Sequence, residues 1–248
     1  MRLTFLGTGH AFFGAGRAQS AIVVEDSAGA WLLECGVTTS YLLKRHAIDA
    51  GSIQMAVVTH LHGDHFGGLS FMLLSAREDD QRTTALHVVG PPALNTRTRE
   101  LLRALYAETD PDEWPFALEY HALAPGQSIA LLGRRIEAFA ADHMRDGTAL
   151  CVRVESEGKV IAFTGDTGRL APLSELADKA DLLICECTLA EASQAPEAKH
   201  LTVADIMRLR PSWNARRVLL THLSAQSRRA AQTLKGVEVA DDGLQLEL

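Results

Sequence analysis

The sequence predicts an α+β fold in which helices cover the outer faces of two mixed β-sheets. Short β-rich runs recur in both halves of the chain, and several of them lead into stretches with helical periodicity. No low-complexity linker or charge block divides the 248 residues, so we expect one domain over residues 1–248. A chain of this length can bury most of the surface that its unfolded form exposes.

The strand candidates are aliphatic and β-branched runs bounded by turn residues. In chain order they are LTFL, SAIVV, AWLLE, MAVVT, ALHVV, SIALL, RIEAFA, ALCVRVE, KVIAFT, DLLICEC and RVLLT. The closing VEVADDGLQLEL is predicted to be a β-hairpin that turns at Asp241, Asp242 and Gly243. Because these runs occur in both halves of the chain, we expect two sheets.

The helix candidates carry local start and stop signals. One begins near Asp64 and runs through SFMLLSA, and a second, RTRELLRALY, follows a Pro-Pro pair. PLSELADKA begins with Pro172, which the first turn of a helix tolerates. VADIMRLR follows the N-cap candidate Thr202, and SAQSRRAAQTLK can be capped by Ser224 and ended by Gly236.

Composition and charge restrict the classes of partner. The net charge is −7 and the basic residues are scattered, whereas a protein that binds a nucleic-acid backbone usually has a basic face. Nucleic acid is therefore not excluded, but it is not favoured. The apolar runs are too short to span a membrane, and MRLTFLGTGH turns glycine-rich before a signal-peptide core could form. We expect a cytoplasmic protein with reduced, buried cysteines and no membrane partner.

Four runs place potential metal ligands at the ends of predicted strands. They are THLHGDH (59–65), ADHMRDG (141–147), FTGDTG (163–168) and LLTHLS (219–224). His60 and His62 are separated by one residue, so both can reach one ion from an extended loop. Asp64 and His65 begin the next helix and point elsewhere, which suits a second ion beside the first. Imidazoles and carboxylates suit zinc, and also manganese or iron.

Histidines outside these four runs are expected to be ordinary surface or core residues, since an isolated histidine is rarely a metal ligand. The set is His10, His46, His87 and His121. His10 differs from the other three, because its run LGTGH lies at the end of a predicted strand.

The ligand pattern resembles the metallo-β-lactamase superfamily, whose HxHxDH signature matches residues 60–65. The resemblance covers nearly the whole chain, and it implies an αββα sandwich with the site at one edge between the sheets. It implies two metal ions, one held by His60, His62 and His143, the other by Asp64, His65 and His222, with Asp166 bridging the two.

Within the superfamily, the chain is more similar to ribonuclease Z and the small phosphodiesterases related to it. LGTG, ECGVTTS, VVTHLHGDHFGGL and the pairing of LLICECTL with KHLTVADI carry this likeness. It implies a dyad of Glu186 and His200 beside the metals. One departure is WLLECG, which supplies Glu34 where the family usually has an Asp that supports the histidine loop. The longer acid could fill the same role, or the role could have moved.

The expected chemistry is phosphodiester hydrolysis by a metal-bridging hydroxide. Two divalent cations, two aspartates and one hydroxide leave a net positive centre, which favours an anionic small molecule or nucleotide, or an RNA end. His200, oriented by Glu186, could protonate the leaving oxygen, so these two residues and Asp64 are the catalytic candidates. Residues 108–120 are predicted to be a loop whose Trp114 and Phe116 could stack on a base or only shield the pocket.

Three alternatives stay open. Ribonuclease Z activity on tRNA 3′ ends is one, although the basic, glycine-rich arm with which members of that family clamp tRNA has no counterpart in the sequence. Hydrolysis of a thioester or lactam on the same two ions is another, and a non-catalytic metal-binding scaffold is the third. The resemblance also suggests a homodimer, by analogy alone.

Overall fold

A computed structural model of the chain describes residues 1–191 and 199–248, and within these ranges the strands form two seven-stranded sheets. The strands are β1 (Arg2–Gly7), β2 (Ala21–Asp26), β3 (Gly29–Leu33), β4 (Ile53–Val57), β5 (Leu86–Gly90), β6 (Leu118–Ala122), β7 (Ser128–Leu131), β8 (Arg134–Ala140), β9 (Leu150–Ser156), β10 (Lys159–Phe163), β11 (Leu182–Glu186), β12 (Arg217–Thr221), β13 (Glu238–Val239) and β14 (Gln245–Glu247). The helices are α1 (Thr39–Arg45), α2 (Gly63–Phe66), α3 (Leu69–Glu78), α4 (Leu94–Leu105), α5 (Leu173–Ala177), α6 (Val203–Leu209) and α7 (Ala225–Ala231).

Each sheet is antiparallel at one end and parallel at the other. The first sheet has the order β14-β1-β2-β3-β4-β5-β6 and is parallel from β3 to β6. The second has the order β13-β12-β11-β10-β9-β8-β7 and is parallel from β10 to β13. Both sheets are therefore mixed, as the sequence predicts.

Alternation along the strands divides the apolar side chains among three layers. In β2, Ile22 and Val24 lie in the cluster between the sheets, whereas Val23 packs under the helices of the first half. In β11, Ile184 faces the same inter-sheet layer and Leu183 packs under the helices of the second half. Because successive strand residues point to opposite faces, one strand serves two apolar layers. The result is the predicted αββα sandwich.

The closing segment is not the hairpin that its pattern predicts. β13 pairs with β12 in the second sheet, whereas β14 pairs with β1 in the first. The turn between them is fixed by Asp242, whose carboxylate accepts hydrogen bonds from Thr8 N at 2.9 Å and Ala18 N at 2.8 Å. These contacts anchor the turn to the loop after β1, so the chain crosses from one sheet to the other.

The helix predictions are right in place but not always in length. The helix predicted from Asp64 is two helices, α2 and α3, separated by Gly67 and Gly68. At Gly68 a Cβ would lie 2.0 Å from the Gly36 carbonyl oxygen, so this close approach requires glycine. Thr202 caps α6 in a capping box, and Ser224 Oγ caps α7 by accepting from a backbone N–H at 3.1 Å. Helix α7 ends at Ala231, before the predicted Gly236, and α1 is a helix that the sequence analysis missed.

The segment 108–120 is only partly a loop, since β6 begins at Leu118. Trp114 and Phe116 are 7% and 4% exposed and belong to the core under the first-half helices. They cannot stack on a substrate base in this position. Among the described residues, no helix is both long and apolar enough to cross a bilayer.

Candidate metal centre

The predicted ligands converge at one edge of the sandwich, where strands from both sheets end. His60 and His62 follow β4, and Asp64 and His65 lie in α2. The second sheet contributes residues that follow β8, β10 and β12, namely His143, Asp166 and His222. Because the carboxyl ends of parallel strands meet at one edge of a sheet, residues far apart in sequence come together there.

The first group consists of His60, His62, His143 and Asp166, whose candidate ligand atoms all lie within 4.8 Å of one another. His62 Nδ1 is 3.1 Å from His60 Nε2 and 3.1 Å from His143 Nε2. Asp166 Oδ2 is 3.9 Å from His60 Nε2 and 3.8 Å from His143 Nε2.

The second group consists of Asp64, His65, Asp166 and His222, so it shares Asp166 with the first. His65 Nε2 lies 3.3 Å from His222 Nε2 and 3.3 Å from both Asp64 Oδ2 and Asp166 Oδ2. His222 Nε2 is 3.1 Å from Asp64 Oδ2. All four side chains are buried.

The donor set fits divalent cations. A metal bound at about 2.0–2.1 Å in a tetrahedron separates its ligands by about 3.3 Å, close to most of these distances. His143 Nδ1 must donate to the Lys199 carbonyl oxygen at 3.0 Å, so in neutral His143 the Nε2 lone pair faces the group. Asp166 Oδ1 is buried without a hydrogen-bond partner, and a bound cation would satisfy this oxygen.

Glu34 supports the histidine loop, the role that an Asp usually has in the family. Its side chain is fully buried and accepts hydrogen bonds from the hydroxyl and the backbone N–H of Thr59. Its Oε1 also lies 3.3 Å from His65 Nδ1, a charge contact without hydrogen-bond alignment. The longer acid reaches both groups, and residue 34 has a left-handed backbone with φ 66°. Burial raises the pKa of Glu34, opposed by His65 and Thr59.

Other neighbours orient the remaining imidazoles. Thr59 Oγ1 lies 3.1 Å from His60 Nδ1, and Thr188 Oγ1 lies 2.8 Å from His222 Nδ1. His222 itself has a left-handed φ of 56°, which is unusual for a residue other than glycine. Such contacts fix which ring nitrogen faces the centre, and a backbone held in a sparsely populated region is typical of a functional site.

Electrostatics in the cluster keep the carboxylates ionised. Although burial opposes ionisation, the hydrogen bonds from His222 and His65 hold the pKa of Asp64 below its ordinary value. Asp166 also has a lowered pKa, because His222 and His65 outweigh its burial. Burial, reinforced by the neighbouring histidines, lowers the pKa of both His60 and His62. Ionised carboxylates and neutral imidazoles are the forms that bind metal ions. His65 differs, because Asp166 and Glu34 outweigh its burial and raise its pKa, so a metal ion bound there would displace a proton.

Glu186 and His200 form the predicted pair beside this cluster. His200 Nδ1 donates to Glu186 Oε1 at 2.9 Å. The buried Glu186 is itself fixed by the backbone N–H groups of Thr167, at 2.8 Å, and Thr188, at 3.0 Å. Burial lowers the pKa of His200, but Glu186 overcomes it and raises that pKa to about 9. An imidazolium held here can donate a proton.

A cleft of about 830 Å³ opens beside His200 and contains two residues that the sequence analysis did not select. Its lining includes His10, which was expected to be an ordinary surface or core histidine, and Phe12. The His10 ring lies 6.4 Å from the His222 ring, and Phe12 is 84% exposed. The run LGTGH at a strand end was the only sequence signal for this neighbourhood.

Comparisons with known proteins identify relatives that match the whole chain. A curated ribonuclease Z of Haloferax volcanii is 28% identical over 305 aligned positions, which cover 100% of this chain and 95% of that protein. The structure of human tRNase Z, short form, is similar over 100% of this chain and 99% of the other, with 27% identity and a TM-score of 0.81. These relatives give no reason to disfavour nucleic acid as a partner.

A more distant structure, zinc-bound PqqB from Methylobacterium extorquens, shares the fold with 16% identity and a TM-score of 0.76 over 100% of both chains. The predicted resemblance to the metallo-β-lactamase fold and its ribonuclease Z branch is therefore confirmed. The protein is a metal-dependent hydrolase of this type, with histidine and aspartate clusters that could hold metal ions. The family model described as anti-Pycsar protein Apyc1 matches residues 1–243, so the chain belongs to the anti-Pycsar protein Apyc1 family.

Proposed function

We propose that this protein is a dinuclear phosphodiesterase that hydrolyses small or cyclic phosphodiesters. The observation that carries the proposal is the pair of ligand groups sharing Asp166, with the Glu186–His200 pair at their edge. One group would hold one divalent cation and the other group the second, and zinc is the expected ion because of the imidazole-rich donor set. The ions, when bound, would lower the pKa of water and withdraw charge from the phosphoryl oxygens.

The chain's own residues contribute the rest of the chemistry. His200, held by Glu186, would donate its proton to the leaving oxygen, which otherwise departs as an unstable alkoxide. Asp64 and Asp166 would keep the cations in place while the substrate binds. Thr59 and Thr188 hold two of the imidazoles in orientation and Glu34 lies against a third, so little reorganisation is needed when the substrate arrives.

Two observations favour a small substrate. The cleft beside His200 has the size of a pocket for a single nucleotide-sized ligand, and the exposed ring of Phe12 offers a surface on which a base can stack. The alignment with the Haloferax protein spans 305 positions while this chain has 248 residues, so at least 57 positions of that alignment have no counterpart here. A shorter chain offers less surface for a large RNA.

RNA processing is the second candidate, because the curated relatives that match the whole chain are named ribonuclease Z. Both candidates break a phosphodiester, so the same centre serves either. A precursor tRNA and a cyclic dinucleotide, offered to one metal-loaded preparation, would separate them by kcat/KM. A cytoplasmic location and a homodimer stay predictions.

The proposal is tested by removing the shared ligand. In Asp166→Ala and His62→Ala proteins, we expect hydrolysis of an activated phosphodiester to be abolished and the metal content to fall, with the circular dichroism spectrum unchanged. Asp49→Ala, an exposed aspartate in a turn, is the matched control. Full turnover by a metal-depleted, folded Asp166→Ala protein would contradict the proposal, and a preference for a thioester would move the activity to carbonyl chemistry.

A further inference from the structure

A second histidine cluster lies outside the metal centre, on the edge of the first sheet. His87 is in β5, and Glu119 and His121 are in β6. The register places His87 directly opposite Glu119, while His121 is opposite Val89, two positions further along β5. Alternate residues of a strand share a face, so all three side chains project from the same side of the sheet.

The distances within this cluster are those of a ligand set. His87 Nδ1 lies 3.0 Å from His121 Nε2 and 3.3 Å from Glu119 Oε2, and all three candidate ligand atoms lie within 4.8 Å of one another. A tetrahedral zinc site separates its ligands by about 3.3 Å. Two ligands at alternate positions of one strand and a third on the neighbouring strand converge without any change in the backbone.

Hydrogen bonding alone explains this arrangement less well. His87 Nδ1 faces both an imidazole nitrogen and a carboxylate oxygen, but it carries at most one proton. A cation at the centre of the three atoms would satisfy all of them together, with water completing the coordination.

We propose that His87, Glu119 and His121 form a further divalent-cation site, of the zinc class, that joins the edge strand β6 to β5. The site is distinct from the candidate metal centre, because none of its residues belongs to either of the two groups there. A cation here would tie down β6, which within residues 1–191 and 199–248 pairs with a strand on only one side. The expected role is structural, since Glu119 is half exposed and no acid–base pair adjoins the three ligands among the described residues.

The test is a metal count on the full chain. After chelation and equilibrium dialysis against zinc, we expect His121→Gln to retain one ion fewer than the unchanged protein, measured by elemental analysis. Glu119→Gln, an exposed change that cannot disrupt the core, should weaken binding of that ion at least tenfold. The control His46→Gln should retain the full count. Phosphodiester hydrolysis should be unchanged in all three variants.

Equal zinc counts and equal zinc affinities in the unchanged protein, His121→Gln and Glu119→Gln would overturn the proposal. Because the two ions of the catalytic proposal are counted in the same experiment, their absence would be visible separately. The failure of one proposal is therefore distinguishable from the failure of the other.

Discussion

Replacing Glu186 with Gln tests whether His200 is the proton donor. The exchange removes the negative charge 2.9 Å from His200 Nδ1 but leaves an oxygen that can accept its hydrogen bond. Burial lowers the pKa of His200, but Glu186, with a smaller contribution from Asp166, raises it to about 9, so without the Glu186 charge the pKa should fall to near its ordinary value of 6.5. The raised pKa keeps His200 protonated up to about pH 9, so lowering this pKa should reduce the rate mainly at alkaline pH.

The size of the effect follows from the two pKa values. At about pH 8 the protonated fraction of His200 would fall from about 90% to about 3%, so kcat/KM should drop about 30-fold. At about pH 6 both proteins are mostly protonated, and the loss should be less than about twofold. The new amide also faces a donating N–H of Thr188, but any resulting disturbance of the fold reduces the rate equally at both pH values.

The assay compares two leaving groups across this pH range. A cyclic or dinucleotide phosphodiester releases an alkoxide that needs the proton, whereas a nitrophenyl ester releases an anion that does not. The pH-dependent loss should therefore appear only with the nucleotide, and Glu155→Gln, an exposed glutamate in β9, should show neither loss. A loss for Glu186→Gln that is the same at both pH values, or with both esters, would refute the assignment.

Three further changes probe the surroundings of the centre. Phe12→Ala should raise KM for a nucleotide diester about tenfold but not for a diester without a base, since stacking is worth about 1–3 kcal/mol per base. Phe71→Ala, which changes another partly exposed ring, is the control. Glu34→Asp should weaken metal affinity by about 10–100-fold in a competition titration, because the shorter side chain cannot keep its contacts with the histidine loop. Unchanged affinity would show that Glu34 does not support that loop. Gly165→Ala should destabilise the protein to urea more than Gly147→Ala does. Both glycines have positive φ, but a Cβ would lie 2.6 Å from a threonine hydroxyl only at residue 165. For Gly147→Ala, the control, we expect the free energy of unfolding to fall by about 1 kcal/mol. Equal falls for both variants would exclude the close contact as the cause.

The sequence identifies the candidate ligands because they stand at the ends of apolar strands. His60 and His222 are 162 positions apart, but each follows a buried parallel strand, and the topology brings such strand ends to one edge. Local sequence patterns are sufficient to predict the candidate ligands, since the prediction needs only the ends of the strands and the types of side chain that follow them.

Features that depend on contacts between distant loops are not predicted in the same way. The alternation of apolar and polar residues along the closing segment is the same for a hairpin and for two strands in different sheets. The contacts of Asp242 with the loop after β1 are long-range, so this pattern does not reveal them. The cleft that contains His10 and Phe12 is built from several loops, so no single run signals it. The burial of Trp114 and Phe116 follows from how the helices pack on the first sheet, which residue type alone does not reveal.

The division of ligands between the sheets couples metal binding to the stability of the sandwich. The first sheet and its helix supply four of the proposed ligands, and the second sheet supplies His143, Asp166 and His222. A hydrogen bond also joins the two sheets here, because the Leu150 N–H donates to the Thr59 carbonyl oxygen at 3.0 Å. The left-handed backbone at Glu34 and His222 costs about 1–2 kcal/mol at each residue. An ion present at a hundredfold excess over its Kd returns about 2.7 kcal/mol, which is comparable to the strain at the two residues together. Chelation should therefore loosen this edge before it affects the apolar layer between the sheets, whose side chains do not depend on the ions.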